Sequence, residues 1–141
     1  MHNLGRRIAS VIPAGKMAIL MSGPLGSGKT SLTASIVGAL PGAENCEVAS
    51  PSFNIFNIYP VRPEIIHCDL YRCKSMIPEE LLEFFDQSGK IAIVEWSEFL
   101  KESPENFMDI KFSLCQNNRL LEVAAYGSIA NEMLRRLEEI T

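Results

Sequence analysis

Apolar residues fall along this chain in two arrangements, a helical spacing and short unbroken runs, and together they mark out its elements in order. Asn3 to Ile12 puts Leu4, Ile8, Val11 and Ile12 on one side of a short amphipathic helix, which Pro13-Ala14-Gly15 ends. Met17 to Met21 is wholly apolar, as a parallel strand covered on both faces requires. Ser31 to Leu40 reads as a helix broken by Pro41-Gly42, and the stretch to Ala49 as a loop leading into a short extended piece. Ile55 to Tyr59 and Glu64 to Asp69 are strand-like runs separated by a turn over Pro60-Val61-Arg62-Pro63. Pro78 to Phe85 is expected to be helical, with Glu79 and Glu80 at its positive end and Leu81, Leu82 and Phe85 as its apolar face. Ile91 to Val94 is a second buried strand and ends in Glu95 and Trp96. Asp109 to Leu114 and Arg119 to Ala125 flank Gln116-Asn117-Asn118, the pattern of an antiparallel hairpin. Ser128 to Ile140 closes the chain as a helix, with Ser128 as its N-cap and Ile129, Met133, Leu134 and Leu137 on one side.

Strands alternating with helices define an α/β class with a central, mostly parallel sheet flanked by helices and followed by a C-terminal antiparallel hairpin. The 141 residues, 47% of them apolar, suffice for one core, so residues 1–141 are expected to form a single domain. A net charge of −4 argues against a broad basic surface that grips duplex nucleic acid alone, and leaves open docking on a basic partner. Cys46, Cys68, Cys73 and Cys115 lack paired metal-ligand spacing and read as reduced thiols. Zinc held by His67, Cys68 and Cys73 is the lesser reading beside Cys68 packed as a small hydrophobe. The apolar runs are too short to span a bilayer, and Arg6-Arg7 precedes no secretion-type apolar stretch, so a cytoplasmic location without membrane contact is expected.

Candidate chemistry centres on Gly23-Pro24-Leu25-Gly26-Ser27-Gly28-Lys29-Thr30, which has the spacing of a phosphate-binding P-loop. The glycines allow positive φ and close approach of backbone N–H groups to phosphate oxygens. Lys29 offers a point charge to the β- and γ-phosphates, and the Thr30 hydroxyl offers one ligand to Mg²⁺. The following helix, from Ser31, aims its positive end at the same anion. A dinucleotide fingerprint fits less well, since its glycine order is the reverse of this one.

A second acid is needed near the phosphates, and Glu95 at a strand end is placed to be linked to the metal; its bland alternative is a lysine pair. Asp69 ends another strand and reads either as an acid that orients attacking water or as a turn residue. Ser50-Pro51-Ser52-Phe53 reads as a turn or as a switch-like segment sensing the γ-phosphate. Trp96 reads as a core anchor close to the site, and Arg72 as a surface ion pair or a phosphate-charge stabiliser.

These blocks, the P-loop, Ser50-Pro51-Ser52-Phe53, His67-Cys68-Asp69-Leu70-Tyr71-Arg72 and Ile93-Val94-Glu95-Trp96-Ser97-Glu98, resemble in type and order the TsaE (YjeE) family. The resemblance covers roughly the first hundred residues. It implies a P-loop ATPase that hydrolyses ATP slowly with Mg²⁺ in tRNA threonylcarbamoyladenosine synthesis. It also implies partners, TsaB and TsaD, through which tRNA is met indirectly. In this light Leu25, Gly26, Ser27, Gly28, Lys29, Thr30, Ser31 and Trp96 form the nucleotide site, and Thr30 and Glu95 the metal site. Asp69 and Glu95 are the catalytic acids, and Ser50 to Phe53 the switch-like loop. The chain departs from the family pattern at Pro24, usually acidic, at Ser52, usually Thr, and at Ser97, usually Pro. A small-molecule kinase would need an arginine-rich lid, which the sequence lacks, and a GTPase an Asn-Lys-x-Asp motif, also missing. A nucleotide-dependent binding module with incidental hydrolysis is the remaining alternative.

Overall fold

The apolar run after the first helix becomes strand β1, Met17–Ser22, and it occupies the middle of a six-stranded sheet. The computed structural model describes residues 1–13, 16–49, 56–71, 77–87 and 89–140. The switch-like segment Ser50 to Phe53, Ile55, Arg72 and Cys73 lie outside the described residues.

In chain order the elements are α1 (His2–Val11), β1, α2 (Lys29–Gly38), β2 (Phe56–Tyr59), β3 (Glu64–Asp69), α3 (Glu79–Phe85), β4 (Lys90–Glu95), β5 (Phe107–Cys115), β6 (Asn118–Tyr126) and α4 (Ser128–Glu139). A short 3-10 turn covers Ala43–Asn45 where only a loop was expected, and another covers Ser97–Phe99. The sheet order is β2-β3-β4-β1-β5-β6. Strands β3, β4, β1 and β5 run parallel, while β2 and β6 pair antiparallel at the two edges. The expected α/β class, with its C-terminal hairpin, is therefore the fold observed. Gln116 and Asn117 turn that hairpin with positive φ, 46° and 71°, a conformation Asn tolerates better than most residues.

Period-two alternation sorts the strands between two cores. Ile19, Ile65, Ile93 and Ile110 face α1, α2 and α4, whereas Leu20, Ile66, Cys68 and Val94 face α3 and the 3-10 turn after β4. Cys68 is fully buried and packs as a small hydrophobe. Helix α1 crosses α2 at Gly5, where a Cβ would lie 2.2 Å from Ser35 Cβ, so only glycine permits this approach.

Three expectations need correction. Helix α2 begins at Lys29 rather than Ser31, because Gly28 at φ 111° turns the chain directly into it. Helix α3 buries Leu81 and Phe84, while Leu82 is 39% exposed and Phe85 only partly covered; its apolar side is rotated toward β4. Ser128 does not cap α4. Gly127 holds the cap position, and Asn106 Oδ1 accepts the N–H groups of Ile129 at 2.8 Å and Ala130 at 3.4 Å. The cap arrives from before β5, which local spacing does not reveal.

Candidate functional site

Parallel pairing sets Asp69, Glu95 and Met21 in one row across β3, β4 and β1. The glycine loop leaves β1 just beyond that row. Such a crevice, at the carboxyl ends of parallel strands, is where open α/β sheets bind ligands.

Loop geometry follows from the glycines. Gly23, Gly26 and Gly28 take φ of 138°, 76° and 111°. A Cβ at Gly23 would sit 2.5 Å from the Phe112 carbonyl oxygen, and one at Gly28 would sit 2.8 Å from Met1 Cε and 3.4 Å from the Arg119 guanidinium. At Gly26 nothing lies within 4 Å, so the loop crown is open. Pro24, which lacks an N–H, contributes its carbonyl instead, accepting from Ser27 N at 3.2 Å.

Lys29 is only 5% exposed, and its ammonium donates to Gly23 O at 2.6 Å, Pro24 O at 2.9 Å and Ser27 Oγ at 3.5 Å. It also stands 4.2 Å above the Trp96 ring. Burial lowers its pKa below the ordinary 10.5, and the nearby charges of Glu95, Glu98 and Asp69 oppose that shift. Trp96 holds this place with φ 58°, uncommon for a bulky residue, and packs against Tyr71 and Phe99 with ring centroids 4.9 Å and 6.3 Å away.

Glu95 is 2% exposed and is bonded at both oxygens. Its Oε1 accepts the Thr30 hydroxyl at 2.9 Å, and its Oε2 meets His67 Nε2 in a short contact. Its lysine-paired alternative is therefore replaced by a hydroxyl and an imidazole. His67 itself is fully buried, with Nδ1 3.1 Å from the Tyr59 hydroxyl. Tyr59 lies 3.3 Å from the Ala49 carbonyl. Asp69 Oδ1 accepts the Tyr71 N–H at 3.0 Å, so it makes a local turn while still facing the cleft.

Leu25, Gly26, Ser27, Gly28, Lys29, Thr30 and Ser31 line one cleft of about 210 Å³ together with Asp69, Glu95, Trp96 and Arg119. Thus the sequence-derived nucleotide, metal and acid residues among the described ones come together. Three participants were not singled out for these roles. Arg119 enters from the hairpin, and His67 and Tyr59 lie behind Glu95. A histidine within the otherwise apolar run of β3, two positions before Asp69 and so on the same face, is the signal for the second of these.

The donor set suits a polyphosphate with a divalent cation. A loop held at positive φ by three glycines, a buried ammonium and a hydroxyl–carboxylate pair suit such a group. Fold and crevice together define a protein of the α/β class whose glycine loop and strand-end acids share one cleft.

Comparison with known proteins narrows this class. The family model described as "Threonylcarbamoyl adenosine biosynthesis protein TsaE" matches residues 1–121. A tRNA threonylcarbamoyladenosine biosynthesis protein TsaE from Rickettsia bellii is 36% identical over 108 residues, covering 73% of each chain. A TsaE from Streptomyces coelicolor is 36% identical over 105 residues, covering 70% of this chain and 68% of its own. The crystal structure of Bacillus subtilis YdiB superposes with a TM-score of 0.80 at 21% identity, over 99% of this chain and 87% of that one, and so shares the fold. The chain belongs to the TsaE family, whose role is in tRNA threonylcarbamoyladenosine biosynthesis. No helix among the described residues is long and apolar enough to cross a membrane.

Proposed function

We propose that this chain binds ATP with Mg²⁺ and hydrolyses it slowly, and that the nucleotide cycle gates a TsaB–TsaD assembly that modifies tRNA. The observation that carries the reading is the 2.9 Å bond between Thr30 and Glu95 at the mouth of the glycine loop. It joins residues 65 positions apart that a Mg²⁺–ATP site needs side by side.

In this reading the loop amides and the end of α2 hold the phosphates, and Lys29 leaves the Gly23 and Pro24 carbonyls for an anionic oxygen. Thr30 and Glu95 would hold Mg²⁺, which when bound neutralises charge on the β- and γ-phosphates. Asp69 orients the attacking water, and Arg119 adds a positive charge from the hairpin side. Trp96 shields the Lys29 flank from solvent. The acidic chain meets tRNA through its partners rather than on a basic surface of its own, and it works in the cytoplasm.

Purified chain with ATP and Mg²⁺ tests this directly. Lys29→Ala is expected to abolish nucleotide binding, whereas Glu95→Ala and Asp69→Ala retain much of the binding and lose phosphate release. Turnover that survives all three substitutions overturns the assignment. Adding TsaB, TsaD and tRNA tests the gating: a hydrolysis-dead variant that still binds ATP should stall repeated rounds of modification.

A further inference from the structure

Only one of the two groups holding Glu95 belongs to the glycine loop. The other, His67, projects from β3 on the same sheet face and is fully buried, and Tyr59 of β2 backs it. A buried imidazole in an apolar strand is costly unless its nitrogens are bonded, and here both are. A glutamate side chain has three rotatable bonds. The Thr30 hydroxyl alone fixes one oxygen and leaves the carboxylate plane free to swing about it. A second bond, from a rigid ring clamped by its neighbours, removes that freedom. Thr30 has one proton and two lone pairs, so it can keep donating to Glu95 while facing a cation.

We propose that His67 is a positioning residue that aims the Glu95 carboxylate, and that Tyr59, whose one hydroxyl proton goes to Nδ1, holds the His67 ring at the required angle. This rests on the reading of Glu95 as the metal-linked acid. The acting element is a donor at the Nε2 position, not the bulk of the ring. Glutamine at this position can present an N–H near the place of Nε2, whereas asparagine can present one only near Nδ1, toward Tyr59.

Two substitutions at position 67 therefore separate positioning from packing. His67→Asn is expected to lower kcat and raise the Mg²⁺ half-saturation about tenfold or more, as lost outer-shell partners do. The KM for ATP should stay within about twofold, since the loop is untouched. His67→Gln is expected to recover most of that loss. Calorimetry of Mg²⁺·ADP binding reads the same shift without turnover. In nucleotide-free protein, ¹H–¹⁵N spectra should show a slowly exchanging Nε2 proton on His67 that moves on Glu95→Gln.

A wild-type kcat and Mg²⁺ response in His67→Asn, at an unchanged melting temperature, overturns the proposal. Equal impairment of the Gln and Asn variants does so too. If His67→Asn does not fold, Tyr59→Phe decides, because it removes only a hydroxyl: a raised Mg²⁺ half-saturation supports the proposal and a wild-type value overturns it. A wild-type chain without Mg²⁺-dependent nucleotide binding would instead overturn the functional reading on which this one stands.

Discussion

Lys29 satisfies its ammonium on its own loop, bonded to the carbonyls of Gly23 and Pro24 while lying over the chain's sole tryptophan. A phosphate that draws the ammonium away must therefore alter the surroundings of Trp96. Adding ATP and Mg²⁺ is expected to shift or quench Trp96 emission with a saturable dependence, and Lys29→Ala to abolish the response. Tyr59 supports a pH prediction. Burial raises its phenol above the ordinary 10.0, against the opposing influence of Asn57 and the Ala49 carbonyl and with a smaller push from the Glu95 charge. The folded chain thus keeps this proton where the unfolded chain loses it, so the contribution is complete below pH 10 and is lost as pH rises through the folded value. Urea unfolding between pH 9.5 and 11 should show a steeper fall for wild type than for Tyr59→Phe. Lys29, Thr30, Asp69 and Glu95 were legible in the sequence because each lies in a motif or at the end of an apolar run. Arg119, His67 and Tyr59 were not, because their roles arise only from tertiary placement: Arg119 of β6 lines the cleft, while His67 of β3 and Tyr59 of β2 stand behind Glu95.

At the level of elements, the strands were the most legible features, since unbroken apolar runs in parallel strands leave little choice of assignment. Helix edges were less so. Local chemistry favoured Ser128 as a cap, yet Asn106, 23 positions before Ile129, does the work. Asn106→Ala should therefore cost about 1 kcal/mol, the usual value of a lost cap, and lower the melting temperature by roughly 3–6 °C. Ser128→Ala should change it little, and paired thermal melts would compare them. Helix α3 failed at the level of its face for a related reason: Leu81, Leu82, Phe84 and Phe85 are all apolar, and only the position of β4 selects Leu81 and Phe84. Gly5→Ala tests the contact of α1 with α2. A new methyl group so close to Ser35 cannot be accommodated without separating the helices, so the variant should melt at lower temperature while its loop residues remain intact.

Taken as one body, the molecule would gain folding stability from occupancy of the proposed nucleotide site. If ATP and Mg²⁺ bind only the folded chain, nucleotide at a hundredfold excess over Kd should add about 2.7 kcal/mol to unfolding stability. Chemical denaturation with and without nucleotide would measure this, and Lys29→Ala should show no difference. Length suggested a single core, whereas the structure packs one on each face of the sheet, and the row of Asp69, Glu95 and Met21 needed three strands in known alignment. That row constrains how the sequence can change in length. Removing one residue from the middle of β4 would bring Trp96 to the place of Glu95, while removing one from the exposed bend before the strand leaves the alignment free to recover. Related chains should therefore vary in length around α3 and keep an invariant count of residues from the start of β4 to the acid that ends it.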